Sequence, residues 1–389
     1  MKKDTKLGHA GRNPKANHGI VNPPVYHAST VTFETVAALK AANQKRFDMV
    51  YYGRYGTPTT FAFEEAVAVL EGADRCIAMP SGLAAIAGTL MALLKTGDHL
   101  LMTDSAYFPT RMFCDTHLKQ NGIETTYYDP LIGSGISESI QDNTRVCFTE
   151  TPGSISFEVQ DVPAIAKAAH ERDVLVVTDN TWSSGFYYSA FDKGADISVQ
   201  AATKYIVGHS DAMLGTISMP ERLFEKVKSS VAMLGYAAAP DDCYLGLRGL
   251  RTLSTRLARH QETALKLAHW LDARPEVDVV LHPALPSCPG HDVWKRDFTG
   301  SSGLFGLILK DGYSDDAVAA LLDGLELYAM GYSWGGFESL IIPGNLSGAR
   351  TATPWPHKGQ VLRIHAGLED ADDLIADLEK GLERLNAAA

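Results

Sequence analysis

Short apolar runs alternate with helical ones from about residue 73 to residue 203, and this alternation constrains the fold more than any other feature. The run "RCIAMP" is followed by "GLAAIAGTLMALLKTG", "HLLMTD" by a helix near 109–120, and "ETTYYD" by a short turn. "TRVCFTE" precedes a helix near 162–170, and "DVLVVTDN" and "DISVQAAT" complete the series. Short apolar strands alternating with helices predict an α/β fold built on a mostly parallel sheet. Ligands of such a sheet bind beyond the carboxyl ends of its strands, so residues delivered there carry the functional reading.

The flanks read differently. Residues 1–56 have no repeating pattern and are rich in Asn, Gly, Pro and His, then Tyr ("NPPVYHAST", "YYGRYGTPTT"). Such a segment is expected to be an arm lying across something else, such as another subunit. "TTFAFEEAVAVLEG" then places Phe61, Phe63, Ala66, Val67 and Leu70 at helical spacing, with Gly72 as a stop. Near 250 the rhythm changes to one long helical stretch, "LRGLRTLSTRLARHQETALKLAHWLDA", followed by mixed strands and helices. A last helix near 371–385 repeats Leu374, Ile375, Leu378, Leu382 and Leu385. Residues 57–250 are therefore expected to form the ligand-binding α/β unit, and 251–389 a smaller α+β unit.

Composition narrows the classes. The 389 residues are 45% hydrophobic and 21% charged, with a net charge of −11 and no long basic tract, which disfavours nucleic acid as a partner. No apolar run approaches the roughly 20 residues of a membrane helix, and the first residues do not resemble a signal peptide. The five cysteines are scattered, without a CxxC pair, which argues against a disulfide framework or a zinc site and suits a cytoplasmic protein.

Four features fall at expected strand ends. "MPSGLAAIAG" places Ser81 and Gly82 at a helix start, either an ordinary turn or an anion cradle made of free N–H groups. Asp179 ends "VLVVTD", a carboxylate delivered into the crevice, and Lys204 follows "ISVQAAT". Tyr107 comes just after "HLLMTD". An unpaired ammonium is costly to bury, so a lysine in such a place tends to neutralise or react. An acid from one strand, a lysine after the next and an anion-binding turn are together the parts of a pyridoxal phosphate site. The lysine would form the Schiff base, the acid would keep the ring nitrogen cationic, and the tyrosine could stack and move a proton.

The ordered motifs "YYGRYGTPT", "PSGLAA", "DNTW", "ATKYIVGHSD", "GLRGLRTL", "HPALP", "FTGSSGLF" and "LRIHAGLED" cover nearly the whole chain. In this respect the sequence resembles the pyridoxal-phosphate enzymes of cysteine and methionine metabolism. The resemblance implies an aspartate-aminotransferase-like fold and a dimer within a tetramer. It makes Lys204 the cofactor lysine, Asp179 the partner of the ring nitrogen and Tyr107 the stacking residue. Gly82 and Leu83 would offer backbone N–H groups to the phosphate, Thr203 its hydroxyl, and Tyr52 and Arg54 would complete the clamp from the neighbouring subunit. Arg363, on the face of "VLRIH" opposite Leu362 and Ile364, would fork the substrate carboxylate. Two positions depart from the common pattern: Ala201 replaces a serine, removing one phosphate hydroxyl, and Leu83 replaces a methionine. His209 and Asp211 lack companions for a metal and read as structural.

Members of this family break the bond β or γ to the amino-acid carbon. In "GYSWGGFESL", Tyr332, Ser333 and Trp334 take the substrate-facing place, where many γ-acting members have an acid. An aromatic pocket without a nearby acid resembles the β-acting members, with Tyr52 as a further substrate contact. The expected reaction is β-elimination of cystathionine to homocysteine, pyruvate and ammonia, with Lys204 moving the proton. Tyr107, if deprotonated, or another base would activate the substrate amine. A broad cysteine-conjugate β-lyase, γ chemistry and a non-catalytic binding role stand as alternatives.

Overall fold

The computed structural model describes residues 1–346 and 350–389. Seven strands form the large sheet: β1 Arg75–Met79, β2 His99–Thr103, β3 Glu124–Tyr128, β4 Thr144–Glu150, β5 Leu175–Asp179, β6 Ile197–Gln200 and β7 Gly215–Met219. Their spatial order is β1-β7-β6-β5-β4-β2-β3. β2 to β6 run parallel, whereas β7 is antiparallel to both β1 and β6. β7 has no counterpart among the apolar runs of the sequence, because "GTISM" carries too few apolar residues to mark a strand. Its Thr216 and Ser218 are nevertheless buried.

Among the described residues, ten α-helices accompany these strands and the second sheet, besides two in the first 56 residues. In chain order α1 Lys3–His9, α2 Val36–Gln44 and α3 Pro58–Glu71 come first. Then follow α4 Gly82–Leu93, α5 Phe108–Phe113, α6 Val162–His170, α7 Glu221–Met233, α8 Pro240–Leu250 and α9 Leu253–Asp272. α10 His291–Asp297, α11 Asp315–Asp323 and α12 Ala371–Ala387 complete the set. α3 obeys its sequence signals: Thr57 caps it, Pro58 opens it, and Gly72 ends it in the left-handed conformation at φ +75°. Alternate strand residues face opposite cores. Ile77, Leu100, Phe148 and Val177 pack with α4 and α7, while Leu101, Cys147 and Val176 pack with α6. Cys76 and Ala78 meet α3 and α8. Both faces are thus covered, as a mostly parallel sheet requires.

The second sheet is antiparallel, in the order β10-β11-β9-β8, made of β8 Val277–Leu281, β9 Leu304–Leu309, β10 Leu340–Gly344 and β11 Val361–His365. Phe305, Leu307, Leu362 and Ile364 on one face join α9, α11 and α12 in a single core. Leu304, Ile308 and Val361 on the other face pack against Phe157, Trp182 and Tyr188 of the large unit. Arg363 therefore points towards the strand ends of the large sheet.

Two expectations need correction. The helix expected near 109–120 is α-helical only to Phe113 and continues as a π-turn over Cys114–Leu118. The long helical stretch near 250 is two helices, α8 and α9. The guanidinium of Arg251 at the break bonds the carbonyls of Leu7 and Ala10, a tertiary contact invisible to periodicity. The beginning of the arm packs on its own chain, with Leu7 and Ala10 buried beside α3. Among the described residues no helix is long and apolar enough to cross a membrane.

Candidate active site

The carboxyl ends of β4, β5 and β6 open onto a cavity of about 490 Å³. Its lining includes Gly82, Leu83, Tyr107, Asp179, Thr203, Lys204, Tyr332, Ser333, Trp334 and Arg363. Residues spread over most of the chain thus meet in one place. Tyr52 and Arg54 do not line it. The Arg54 guanidinium bonds the Ala232 carbonyl and lies 4.7 Å from the Tyr55 ring centroid, outside the cavity of its own chain.

Lys204 follows β6 in a turn and is held by two segments. Its Nζ donates to Ser333 Oγ at 2.7 Å and stands 5.1 Å from the Trp334 ring centroid. Burial, and next the nearby Arg363 guanidinium, lower the Lys204 ammonium to about 8, with Asp179 pulling the other way. A lysine so placed loses its proton close to neutral pH. Ser333 has φ +83°, unusual for a residue with a side chain. Its carbonyl accepts from Arg363 Nη2 at 3.0 Å.

Asp179 is buried and accepts from the Thr181 N–H at 2.9 Å and the Thr181 hydroxyl at 2.5 Å. It has no ion-pair partner within salt-bridge distance among the described residues. Burial raises its carboxyl even against the Thr181 bonds. Glu150 stands beside it, paired in register across β4 and β5. Removal from water, then the charge of Asp179, push Glu150 well above the ordinary range, and its Oε2 accepts the Tyr107 N–H at 2.7 Å. From sequence the pocket has no nearby acid; the structure supplies Glu150 there, from a strand remote from "GYSWGGFESL".

Tyr107 is held at the root of its loop. Asp104 accepts from Arg111 Nη1 at 2.8 Å and from the N–H groups of Thr351 and Ala352 at 2.9 and 2.8 Å. Burial, then Glu150 and Asp179, raise the Tyr107 hydroxyl, outweighing Arg363. The chain's own groups therefore favour Tyr107 as a proton donor and do not favour the phenolate considered from sequence. Tyr332 is 91% exposed at the mouth, so the aromatic wall rests on Trp334, with Trp182 and Phe157 behind. The sequence "DNTW" signalled Trp182 by place alone.

These residues fit pyridoxal phosphate. α4 begins at Gly82, where an added Cβ would lie 2.5 Å from the Ala201 Cβ, so only glycine permits this close crossing beneath the helix start. Ser81 Oγ accepts the Ala84 N–H at 3.1 Å, and Gly82 and Leu83 are left as the first N–H groups without intrahelical partners. That end suits a phosphate, and a buried acid without a cation suits a protonated ring nitrogen. The Thr203 hydroxyl donates to the Leu214 carbonyl at 3.0 Å and accepts the Leu214 N–H at 2.9 Å, which pins the turn carrying Lys204.

The chain is similar to known proteins along nearly its whole length. A putative cystathionine beta-lyase of Rhizobium johnstonii is 47% identical over 387 residues, covering 99% of this chain and 96% of the relative. The cystathionine beta-lyase MetC of Escherichia coli is 45% identical and covers 99% of each chain. Among solved structures, metB from Corynebacterium glutamicum superposes with a TM-score of 0.92 at 31% identity, covering 99% of this chain and 98% of that one. The fold is accordingly the aspartate-aminotransferase-like one expected from sequence. The family model for Cys/Met metabolism PLP-dependent enzymes matches residues 4–383, and the chain belongs to that family.

Proposed function

We propose that the protein cleaves the β carbon–sulfur bond of L-cystathionine, with the net uptake of one water, releasing homocysteine, pyruvate and ammonia. The observation that carries the reading is Lys204 Nζ at 2.7 Å from Ser333 Oγ, in the same cavity as Asp179, Tyr107 and Arg363. The full-length relatives named cystathionine beta-lyase support cystathionine as substrate and β as the bond broken.

Pyridoxal phosphate, when bound, supplies an aldehyde that joins amines and a ring that stores the electrons of a carbanion. The chain does the rest. The α4 N-terminus would hold the phosphate, and Asp179 would stabilise positive charge at the ring nitrogen. Arg363 forks the substrate carboxylate. Lys204 Nζ, as free amine, takes the α-proton and returns a proton to the departing sulfur, with Ser333 Oγ keeping Nζ in reach. The Tyr107 hydroxyl is a second donor on the same cavity. Trp334, Phe157 and Trp182 exclude water from the reacting carbons.

The same reading takes residues 57–250 as the cofactor-binding unit, 251–389 as the C-terminal unit, and 1–56 as an arm. Tyr52 and Arg54 of that arm would serve the phosphate of a neighbouring subunit in a homotetramer. Five cysteines that are all free and buried support a place in the reducing cytoplasm. The test is to incubate the holoprotein with cystathionine and identify the products. Pyruvate with homocysteine is expected; 2-oxobutyrate with cysteine would mean γ-cleavage and overturn the assignment.

A further inference from the structure

β11 turns two side chains, Arg363 and His365, towards the segment that carries Ser333. They are two residues apart on a strand and so share a face. Arg363 Nη2 donates to the Ser333 carbonyl at 3.0 Å. His365 Nε2 accepts the Gly335 N–H at 3.1 Å, while its Nδ1 lies 3.1 Å from the Glu338 carbonyl. A carbonyl only accepts, so the proton sits on Nδ1, and Nε2 keeps the lone pair that Gly335 needs. The ring is 1% exposed and packs against His260 and Tyr205, at centroid distances of 5.2 and 5.8 Å. Burial, then the neighbouring His260, hold His365 well below the usual histidine range, which keeps this pairing intact at neutral pH.

Gly335 is where the segment presses on the lysine. Its φ is +88°, and an added Cβ would lie 2.9 Å from Lys204 C and Tyr205 N. Ser333, two residues earlier, holds its own left-handed conformation at φ +83°. A strained residue persists only where its surroundings over-determine it. The bonds that do so are Lys204 Nζ to its hydroxyl, Arg363 to its carbonyl and His365 to Gly335. When Arg363 turns to a substrate carboxylate, the Ser333 carbonyl loses its partner, whereas the His365 bond needs no such exchange.

We propose that His365 is a positioning residue: by holding Gly335 it keeps Ser333 Oγ where Lys204 Nζ bonds to it, leaving Arg363 free for the substrate. The proposal rests on the reading of Lys204 and Arg363 given above. His365→Gln and His365→Met are close in length, and only glutamine retains a strong acceptor for the Gly335 N–H, the thioether sulfur being a weak one. With equal cofactor content and similar Tm, His365→Met is expected to lower kcat on the order of 10- to 100-fold, and His365→Gln to recover most of it. KM should change little, because Arg363 still meets the carboxylate. In a Ser333→Ala background, His365→Met should cost little more, since both act through the same hydroxyl. Wild-type kcat in His365→Met, equal losses in Met and Gln, or full additivity with Ser333→Ala would each overturn the proposal.

A second readout is independent of turnover. The visible absorption of the bound cofactor, titrated against pH without substrate, reports the Lys204 nitrogen. Its midpoint should shift in His365→Met and return in His365→Gln; an unmoved midpoint in both would overturn the positioning role. If cystathionine is not cleaved at all but the midpoint moves as described, the substrate assignment fails and the role of His365 stands.

Discussion

Lys204 Nζ donates to Ser333 Oγ at 2.7 Å although the two residues are 129 positions apart in sequence. The bond joins the turn after β6 to the segment before β10, so the lysine is positioned from both sheets at once. Its ammonium, lowered to about 8 chiefly by burial and then by Arg363, is the point from which the chemistry follows.

The rate at which cofactor-free protein takes up pyridoxal phosphate should follow the neutral fraction of Lys204. Below about pH 8 the rate is expected to rise about tenfold per pH unit, and to level off above it. Because Arg363 lowers the Lys204 ammonium, Arg363→Gln should move the midpoint upward. Stopped-flow absorption across pH measures both; a midpoint unchanged or lower in Arg363→Gln would contradict the electrostatic origin.

Arg363→Lys keeps the charge but loses the planar fork. Its expected effect is a KM about 10- to 100-fold higher, with kcat changed much less, since a hydrogen bond to a charged group is lost in both ground and transition state. Steady-state kinetics with cystathionine decide it, and a kcat loss at constant KM would remove Arg363 from carboxylate binding.

Gly335→Ala forces a side chain onto φ +88° and places its Cβ 2.9 Å from the Lys204 backbone. A loss of about 1–3 kcal/mol in stability is expected from the conformation alone. Turnover should fall further than stability does, because the displaced atoms belong to Lys204. Urea unfolding alongside kinetics separates the two, and a variant of unchanged activity would be incompatible with this packing.

Much of the site was legible because its residues follow the rule for strand ends. Asp179 ends a recognisable strand run and Lys204 follows another, and Arg363 interrupts the apolar alternation of "VLRIH". Glu150 ends the equally plain run "TRVCFTE", yet its importance lies in its register with Asp179, a relation between strands that a linear reading does not contain. His365 escaped for the same reason: its two partners, Gly335 and Glu338, come from a different segment. β7 was hidden by its small and polar residues, and the break between α8 and α9 by the tertiary bonds of Arg251 to the N-terminal segment. Local period and composition reveal elements, whereas pairing across elements decides which side chains meet.

The Asp104 network offers a pH prediction. Burial works to raise this carboxyl, but Arg111 and the N–H groups of Ala352, Thr351 and Thr353 outweigh it and hold it below the ordinary value. A depressed folded-state carboxyl contributes stability above its unfolded pKa and loses it as pH falls through the folded value. Asp104→Asn should therefore destabilise by about 3–5 kcal/mol at neutral pH, as removal of one partner from a buried ion pair does. The gap to the parent should narrow in acid. Denaturant midpoints across pH check this, and a gap that does not vary with pH would contradict it.

The most direct test of the role of Lys204 is to reduce the holoprotein with borohydride, digest it and locate the added cofactor mass. The mass is expected on the peptide carrying Lys204 and nowhere else, and Lys204→Ala protein should show none. Cofactor on another lysine, or an unmodified Lys204 in fully reduced and active protein, would contradict the assignment from which the rest of the site is read.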